Sequence, residues 1–190
     1  MAAWLVRTEE SSSRSRIGGA PDAPADFRWP VCKQCGGAMQ FLAQLALPDC
    51  EIPELAGREQ SLLLFQCQND PGMCDEWDPQ SGGNAARLVP LAEATQVKAP
   101  ASGETRLMAV DPVGVVVTEP EAAPLGRVGG EPEWIQADET PTCVCGTRMR
   151  FVVQLSPEGG GGINFGDAGE GYGFVCDSCP AEARFLWQCG

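Results

Sequence analysis

Apolar residues in this chain come in short runs separated by polar, glycine- and proline-containing segments, a spacing that predicts strands and turns. Ala3-Trp4-Leu5-Val6 predicts a short strand near the start. Phe41-Leu42-Ala43-Gln44-Leu45 alternates, which puts Phe41, Ala43 and Leu45 on one face and Leu42 and Gln44 on the other, as in a half-buried strand. Phe151-Val152-Val153-Gln154-Leu155 repeats that pattern with more β-branching. Residues 61–66 predict a further strand that closes on Cys67, and 113–118 one that belongs to neither of the two repeats described next. Residues 9–16, 91–105 and 159–173 read as loops or connectors. The last is glycine-rich, but no Lys-Ser/Thr helix start follows it and Asp167 and Glu170 oppose an anion, so a hairpin connection is expected and not a phosphate cradle. No segment carries a helical period. The expected fold is mainly β, an α+β chain with few short helices.

Four blocks recur in one order. Arg16-Ile17-Gly18-Gly19-Ala20-Pro21 matches Arg127-Val128-Gly129-Gly130-Glu131-Pro132, and Pro30-Val31-Cys32-Lys33-Gln34-Cys35-Gly36 matches Pro141-Thr142-Cys143-Val144-Cys145-Gly146 with one residue fewer. Met39 to Leu45 matches Met149 to Leu155, and Leu64-Phe65-Gln66-Cys67 matches Gly173-Phe174-Val175-Cys176. These blocks predict an internally duplicated chain, with two pseudo-symmetric, zinc-clamped β subdomains forming one body. Residues 1–90 hold the first repeat with its N-terminal strand, 91–124 a connector with one strand, and 125–190 the second repeat.

Eight of the ten cysteines fall in these blocks. Two close cysteine pairs separated by a strand are how a chain gathers four thiolates around one tetrahedral zinc. The expected ligands are Cys32, Cys35, Cys67 and Cys74 for one structural zinc, and Cys143, Cys145, Cys176 and Cys179 for a second. In Cys-x-x-Cys-Gly the turn aims both sulfurs one way, and the glycine relieves its backbone strain. Cys143-x-Cys145 lacks one residue of that turn, and an extended strand is expected to bring its two sulfurs to one face. Reduced structural thiols are the plainer alternative at both sites. A thioredoxin-type pair needs a helix after it in a βαβ unit, and here glycine or a strand end stands in that place. Cys50 and Cys189 lack counterparts and read as small apolar residues. Trp29, Trp77, Trp134 and Trp187 are expected to cap small cores. Gln44 and Gln154 are expected to bond backbone across the sheet, or else to face a partner strand.

Two counts narrow the chemistry further. The chain has no histidine, which removes Ser–His and Cys–His nucleophilic pairs. Its formal net charge is −13, and each tetrathiolate zinc adds a charge of about −2. Such a field repels phosphate backbones, so no nucleic-acid partner is expected. It suits a basic protein or peptide, or serves plain solubility. The start reads as no secretory signal, and the apolar runs are far shorter than the roughly 20 residues a bilayer helix needs. A cytoplasmic protein without a membrane partner is the expectation, and a reducing compartment favours metal over disulfide.

Trp29 to Leu45, Leu64 to Trp77 and the terminal Arg184-Phe185-Leu186-Trp187-Gln188-Cys189 resemble the bacterial YwqG-like family, a domain family of unknown function. A fainter resemblance, in the Gly-Gly-x-Pro start, the Cys-x-x-Cys-Gly pair and a strand ending in cysteine, extends to the programmed cell death protein 2 family. That resemblance implies a chaperone-like, non-enzymatic module that engages a basic protein. Bacterial relatives also look like some neighbours of secreted toxins, and that likeness implies an immunity protein as the alternative. A zinc hydrolase is the third reading, and four cysteines closing the coordination sphere oppose it.

Overall fold

The computed structural model describes residues 3–10, 13–101, 103, 105, 110–157 and 162–190. Twelve strands are assigned: β1 (Ala3–Arg7), β2 (Ser15–Gly18), β3 (Asp22–Ala23), β4 (Gln40–Ala46), β5 (Gln60–Gln66), β6 (Asn84–Pro90), β7 (Thr95–Gln96), β8 (Val110–Val116), β9 (Gly126–Val128), β10 (Arg150–Leu155), β11 (Glu170–Val175) and β12 (Ala183–Gln188). The segments Leu47–Asp49 and Pro53–Leu55 are single-turn 3₁₀ helices, each with a proline in the first turn, where its fixed φ is accommodated. The chain is mainly β.

Ten strands form one antiparallel sheet in the order β12-β11-β10-β9-β1-β8-β2-β4-β5-β6, and β3 and β7 form a separate ribbon. At its centre β1 pairs with β8, with Leu5 opposite Val115 and Val6 opposite Gly114. The outer sides of this pair are taken by β9 on β1 and by β2 on β8. The strand expected at 113–118 is thus part of the main sheet, and the ladder runs without a break through both halves. At the far ends β6 and β12 come to lie side by side, although no ladder joins them among the described residues. The sheet therefore curls into a barrel with one open seam.

Barrel closure explains the distribution of apolar residues. One core fills the inside and mixes both halves, including Leu5, Ile17, Leu42, Leu45, Leu62, Leu64, Val152, Val153, Leu155 and Phe185. Two smaller cores cover the outer faces. Met39, Phe41, Leu63, Phe65 and Cys67 form one with Trp29 packed against it, and Met149, Phe151, Tyr172, Phe174 and Cys176 form the other with Trp134. β4 is consequently buried along its whole length, not half-buried as its alternation suggests.

The face assignment for β4 also changes. The β4–β5 register slips between Phe41 and Ala43, so Leu42 sits in a bulge. A bulge resets the two-residue period, and Leu42, Ala43 and Leu45 share the inner face while Phe41 points outward. The β10–β11 register slips in the same way between Phe151 and Val153, sending Val152, Val153 and Leu155 inward and Phe151 outward.

The glycine-rich stretch is only partly a loop, because residues 170–173 belong to β11, while 158–161 lie outside the described residues. A side chain at Gly171 would stand 2.5 Å from the Phe165 ring, so glycine here makes room for an aromatic that fills the inner core.

Candidate metal centres

The first knuckle is a short ribbon closed by Val31 bridging Ala38, with the Cys32 N–H donating to the Gly37 carbonyl at 2.9 Å. Inside it the Gly36 N–H returns to the Cys32 carbonyl at 2.9 Å, and Gly36 takes a φ of 73°, which favours glycine. The Gly37 N–H then points at Cys35 Sγ, 3.4 Å away.

The second knuckle is built alike with one residue fewer. Thr142 bridges Arg148, the Cys143 N–H reaches the Thr147 carbonyl at 2.9 Å, and the Gly146 N–H returns to the Cys143 carbonyl at 2.8 Å. The extended strand expected at Cys143-x-Cys145 is therefore a turn. The five-residue loop of the first knuckle is replaced by a four-residue β-turn, with Gly146 at a φ of 85°. Thr147 supplies what Gly37 supplies in the first knuckle, with its hydroxyl 3.3 Å from Cys145 Sγ.

The partner cysteines arrive from the ends of β5 and β11. Cys67 follows β5, and its N–H donates to the Gly83 carbonyl at 2.8 Å. Asn69 Nδ2 donates to the Ala38 carbonyl at 3.0 Å and lies 3.4 Å from Cys67 Sγ, so one amide ties both cysteine loops together. Cys74 is fixed by Glu76, a carboxylate only 2% exposed, which accepts from the Gly72 N–H at 2.5 Å and the Cys74 N–H at 3.2 Å. In the second cluster the Cys176 N–H donates to the Glu182 carbonyl at 3.0 Å, and the Glu182 N–H to the Cys179 carbonyl at 3.0 Å. Arg150 clamps Asp177 through Nε at 2.8 Å and Nη2 at 2.7 Å, which holds the turn between the two cysteines.

The structure brings both expected quartets together. In each, the four Sγ atoms lie within 4.8 Å of one another, and each set could hold a metal ion. Cys35 and Cys67 sulfurs stand 3.6 Å apart, and Cys145 and Cys176 sulfurs 3.7 Å. Tetrahedral zinc with bonds of about 2.3 Å requires sulfur separations of roughly 3.8 Å. The fit is close, and all ten cysteines are free thiols. In each quartet one cysteine is exposed, Cys35 or Cys145; Cys179 is half-buried, and the other five are buried.

Electrostatics distinguish these positions. The Gly37 N–H pulls the Cys35 thiol below its usual range. The Thr147 hydroxyl and backbone N–H bring Cys145 down to about 6. Burial pushes Cys74 up, and the neighbouring Cys145 sulfur, with burial, pushes Cys179 up to about 12. A bare quartet therefore concentrates its first negative charge on the outward sulfur, and full ionisation needs a cation at the centre.

Other expectations resolve as follows. Cys50 is buried, with its thiol pushed up to about 12 by burial, as suits a small apolar residue. Cys189 is half-buried. Gln44 accepts from the Asp22 N–H at 2.7 Å and donates to the Arg14 carbonyl at 2.9 Å, and Gln154 accepts from the Glu133 N–H at 2.9 Å. Both amides bond backbone, holding the chain beyond each Gly-Gly turn. Trp77 departs from the core-capping role, since it is 42% exposed and meets Trp187 edge to face. The supports supplied by Asn69, Glu76, Thr147 and Arg150 carry no spacing signal. Glu76 sits in the run Asp75-Glu76-Trp77-Asp78, where nothing in the sequence marks which carboxylate turns inward. Among the described residues no helix is long and apolar enough to cross a membrane.

A family model described as a domain of unknown function, DUF1963, matches residues 15–99, which hold the whole first quartet. The chain is also similar to the uncharacterized protein YpfL of Salmonella typhimurium strain LT2, at 42% identity over 65 residues. That likeness spans 33% of this chain and 15% of the relative. Neither match bears the YwqG-like name, which stays a resemblance.

Proposed function

We propose that this chain is a non-enzymatic protein-binding module whose two cysteine quartets hold structural zinc, and whose acidic surface takes a basic protein or peptide. The carrying observation is the pair of quartets, each with four mutually close sulfurs, which leave zinc no open coordination position for a substrate or water. Zinc there stabilises loops. Parallel local details support reading the halves as copies of one unit: a bulge at Leu42 and at Val152, a glycine N–H closing each knuckle, and a glutamine amide bonding Asp22 or Glu133. Ten free thiols suit a reducing, cytoplasmic setting.

For the binding surface, the loop between Cys67 and β6 is favoured. Met73, 72% exposed, and Trp77 stand on it among the exposed carboxylates of Asp70, Asp75 and Asp78. Apolar anchors within a negative field suit a basic segment that carries apolar side chains. Strand addition to the main sheet is less favoured, because its two end strands, β6 and β12, lie against each other.

The test is titration of the zinc-loaded chain with Lys/Arg-rich peptides containing Leu or Phe, at low and at physiological salt. Binding that weakens with salt and falls at least tenfold in Trp77→Ala supports the reading. Absence of zinc from the purified protein, or binding insensitive to salt, overturns it.

A further inference from the structure

We propose that the open seam between β6 and β12 is an oxyanion site whose ligand is a phosphoryl group. A cavity of about 330 Å³ lies at this seam, lined by Lys33, Gly82, Asn84, Arg87, Arg184 and Phe185. It gathers three of the 13 lysines and arginines of a chain whose net charge is −13. Several arginines elsewhere are matched to carboxylates: Arg14 to Asp49, Arg16 to Asp22, Arg148 to Asp138 and Arg150 to Asp177. At the seam Arg184 pairs with Glu182 at 2.9 Å, but among the described residues Lys33 and Arg87 have no carboxylate partner. Three cations thus share the one nearby carboxylate, Glu182, which acts on Arg87 as well as on Arg184.

Local structure aims these cations into the cavity. Arg87 Nη1 donates to the Ala86 carbonyl at 2.9 Å and Arg184 Nη1 to the Ala183 carbonyl at 2.8 Å. Both guanidinium groups are thereby held along the seam with further N–H donors to spare. The Lys33 stem lies on Gly82, where any side chain would meet it at 2.4 Å, and the Lys33 N–H is tied to the Gly82 carbonyl at 3.0 Å. That packing lays the lysine across the cavity wall. The arrangement has a cost. The Arg87 guanidinium is held below its usual pKa by desolvation and by the like charge of Arg184, which the nearby Glu182 carboxylate only partly offsets, and an anion between the two guanidinium groups would reduce that penalty.

The chemistry selects the ligand. A phosphoryl group carries a charge of about −1.5 to −2 at neutral pH and three strong acceptors, which matches the surplus of cations and the forked guanidinium donors. A carboxylate would compensate half of that charge. A nucleic-acid strand is disfavoured, because neighbouring phosphates would extend over a surface of negative charge. The site adjoins both features already described: Lys33 lies between Cys32 and Cys35 in the first knuckle, and Pro79, Gln80 and Gly82 of the cavity wall belong to the loop that carries Met73 and Trp77.

The experiment is calorimetric titration of the 190-residue, metal-quantified chain in phosphate-free buffer, first with inorganic phosphate and then with a phosphoserine peptide. Saturable binding is expected, weakened at least tenfold in Arg87→Gln and unchanged in Arg148→Gln, whose charge is paired outside the seam. A peptide that binds more tightly than phosphate identifies a phosphorylated protein as the source, and one that binds no better identifies a free phosphate. Circular dichroism confirms that the variants fold, with Lys33→Gln replacing Arg87→Gln if the latter does not. No saturable binding, equal affinity in wild type and seam variants, or equally strong binding of acetate overturns the proposal.

Discussion

Arg58 reaches 118 positions along the chain to donate from Nη1 to the carbonyl oxygen of Cys176 at 3.1 Å. Its Nη2, together with Gln60 Nε2, bonds the Pro180 carbonyl, each at 3.2 Å. A side chain from the turn before β5 therefore supports the loop that carries Cys176 and Cys179. Replacing it in Arg58→Met removes charged hydrogen bonds worth about 1.5–3 kcal/mol. Urea denaturation should show a loss near the lower end of that range, since part of the guanidinium remains solvated. Zinc release to a chromogenic chelator should accelerate for one of two equivalents. Equal release rates for wild type and variant would show that the bond does not support the second quartet.

Tyr172 is the only tyrosine in the chain, so its titration can be read without interference. The ring is fully buried against Trp134, and its hydroxyl donates to the Glu133 carbonyl at 2.9 Å. Burial, with the nearby charges of Glu170 and Glu133, pushes the phenol up to about 12. The folded state thus holds this proton more tightly than the unfolded state, whose phenol titrates near its usual value of about 10. The resulting stability is fully present below about pH 10 and is lost as pH rises toward 12. Tyrosinate absorbance at 295 nm should have its midpoint well above 10 in the native protein and near 10 in denaturant. A native midpoint near 10 would show the ring to be accessible.

The cysteine quartets were legible because ligand spacing is a local property, and so were the strands around Phe41, Leu64 and Phe151, whose apolar runs are dense. What stayed hidden depends on tertiary structure. Barrel closure covers both faces of β4, and a single strand cannot report that its second face will be buried. The bulges at Leu42 and Val152 reset an alternation that reads as regular, so the regular pattern groups Phe41 with Ala43 and Leu45 although it lies on the opposite face. β11 begins within a glycine-rich stretch because Phe165 needs the space at Gly171, a contact with no counterpart in the linear pattern. The seam cations come from three separate segments, and only the meeting of β6 with β12 brings Arg87 and Arg184 together.

The ten thiols should divide by role. Cys145→Ser should reduce bound zinc from two equivalents to one, and Cys35→Ser should do the same through the other quartet. Cys50→Ala should leave two equivalents bound and destabilise by about 1 kcal/mol, since it removes one small buried group beside Leu47 and Leu55. Chelation of both ions should lower the denaturation midpoint of wild type by more than any of these single changes. Elemental analysis alongside urea titration checks all four statements. Retention of two zinc equivalents in Cys145→Ser would remove that residue from the ligand set.

Gly83 offers the sharpest test of the first quartet's geometry. A Cβ at this position would stand 2.1 Å from the Cys74 carbonyl oxygen, 2.9 Å from Glu76 Cα and 3.0 Å from Glu76 N. All three atoms are backbone of the loop carrying Cys74, so no side-chain rotation relieves the clash. The same residue accepts from the Cys67 N–H at 2.8 Å, which means that displacing it pulls on the other cysteine of the pair. Gly83→Ala should destabilise by about 3 kcal/mol, the upper end of ordinary overpacking costs, and should weaken zinc at the first quartet only. Gly57→Ala is the matched control, because an added Cβ there meets nothing within 4 Å. That change should be neutral, or stabilising by about 0.4–1 kcal/mol through a less flexible unfolded chain. Coincident urea transitions for the two variants would mean that the Cys74 loop does not pack against Gly83.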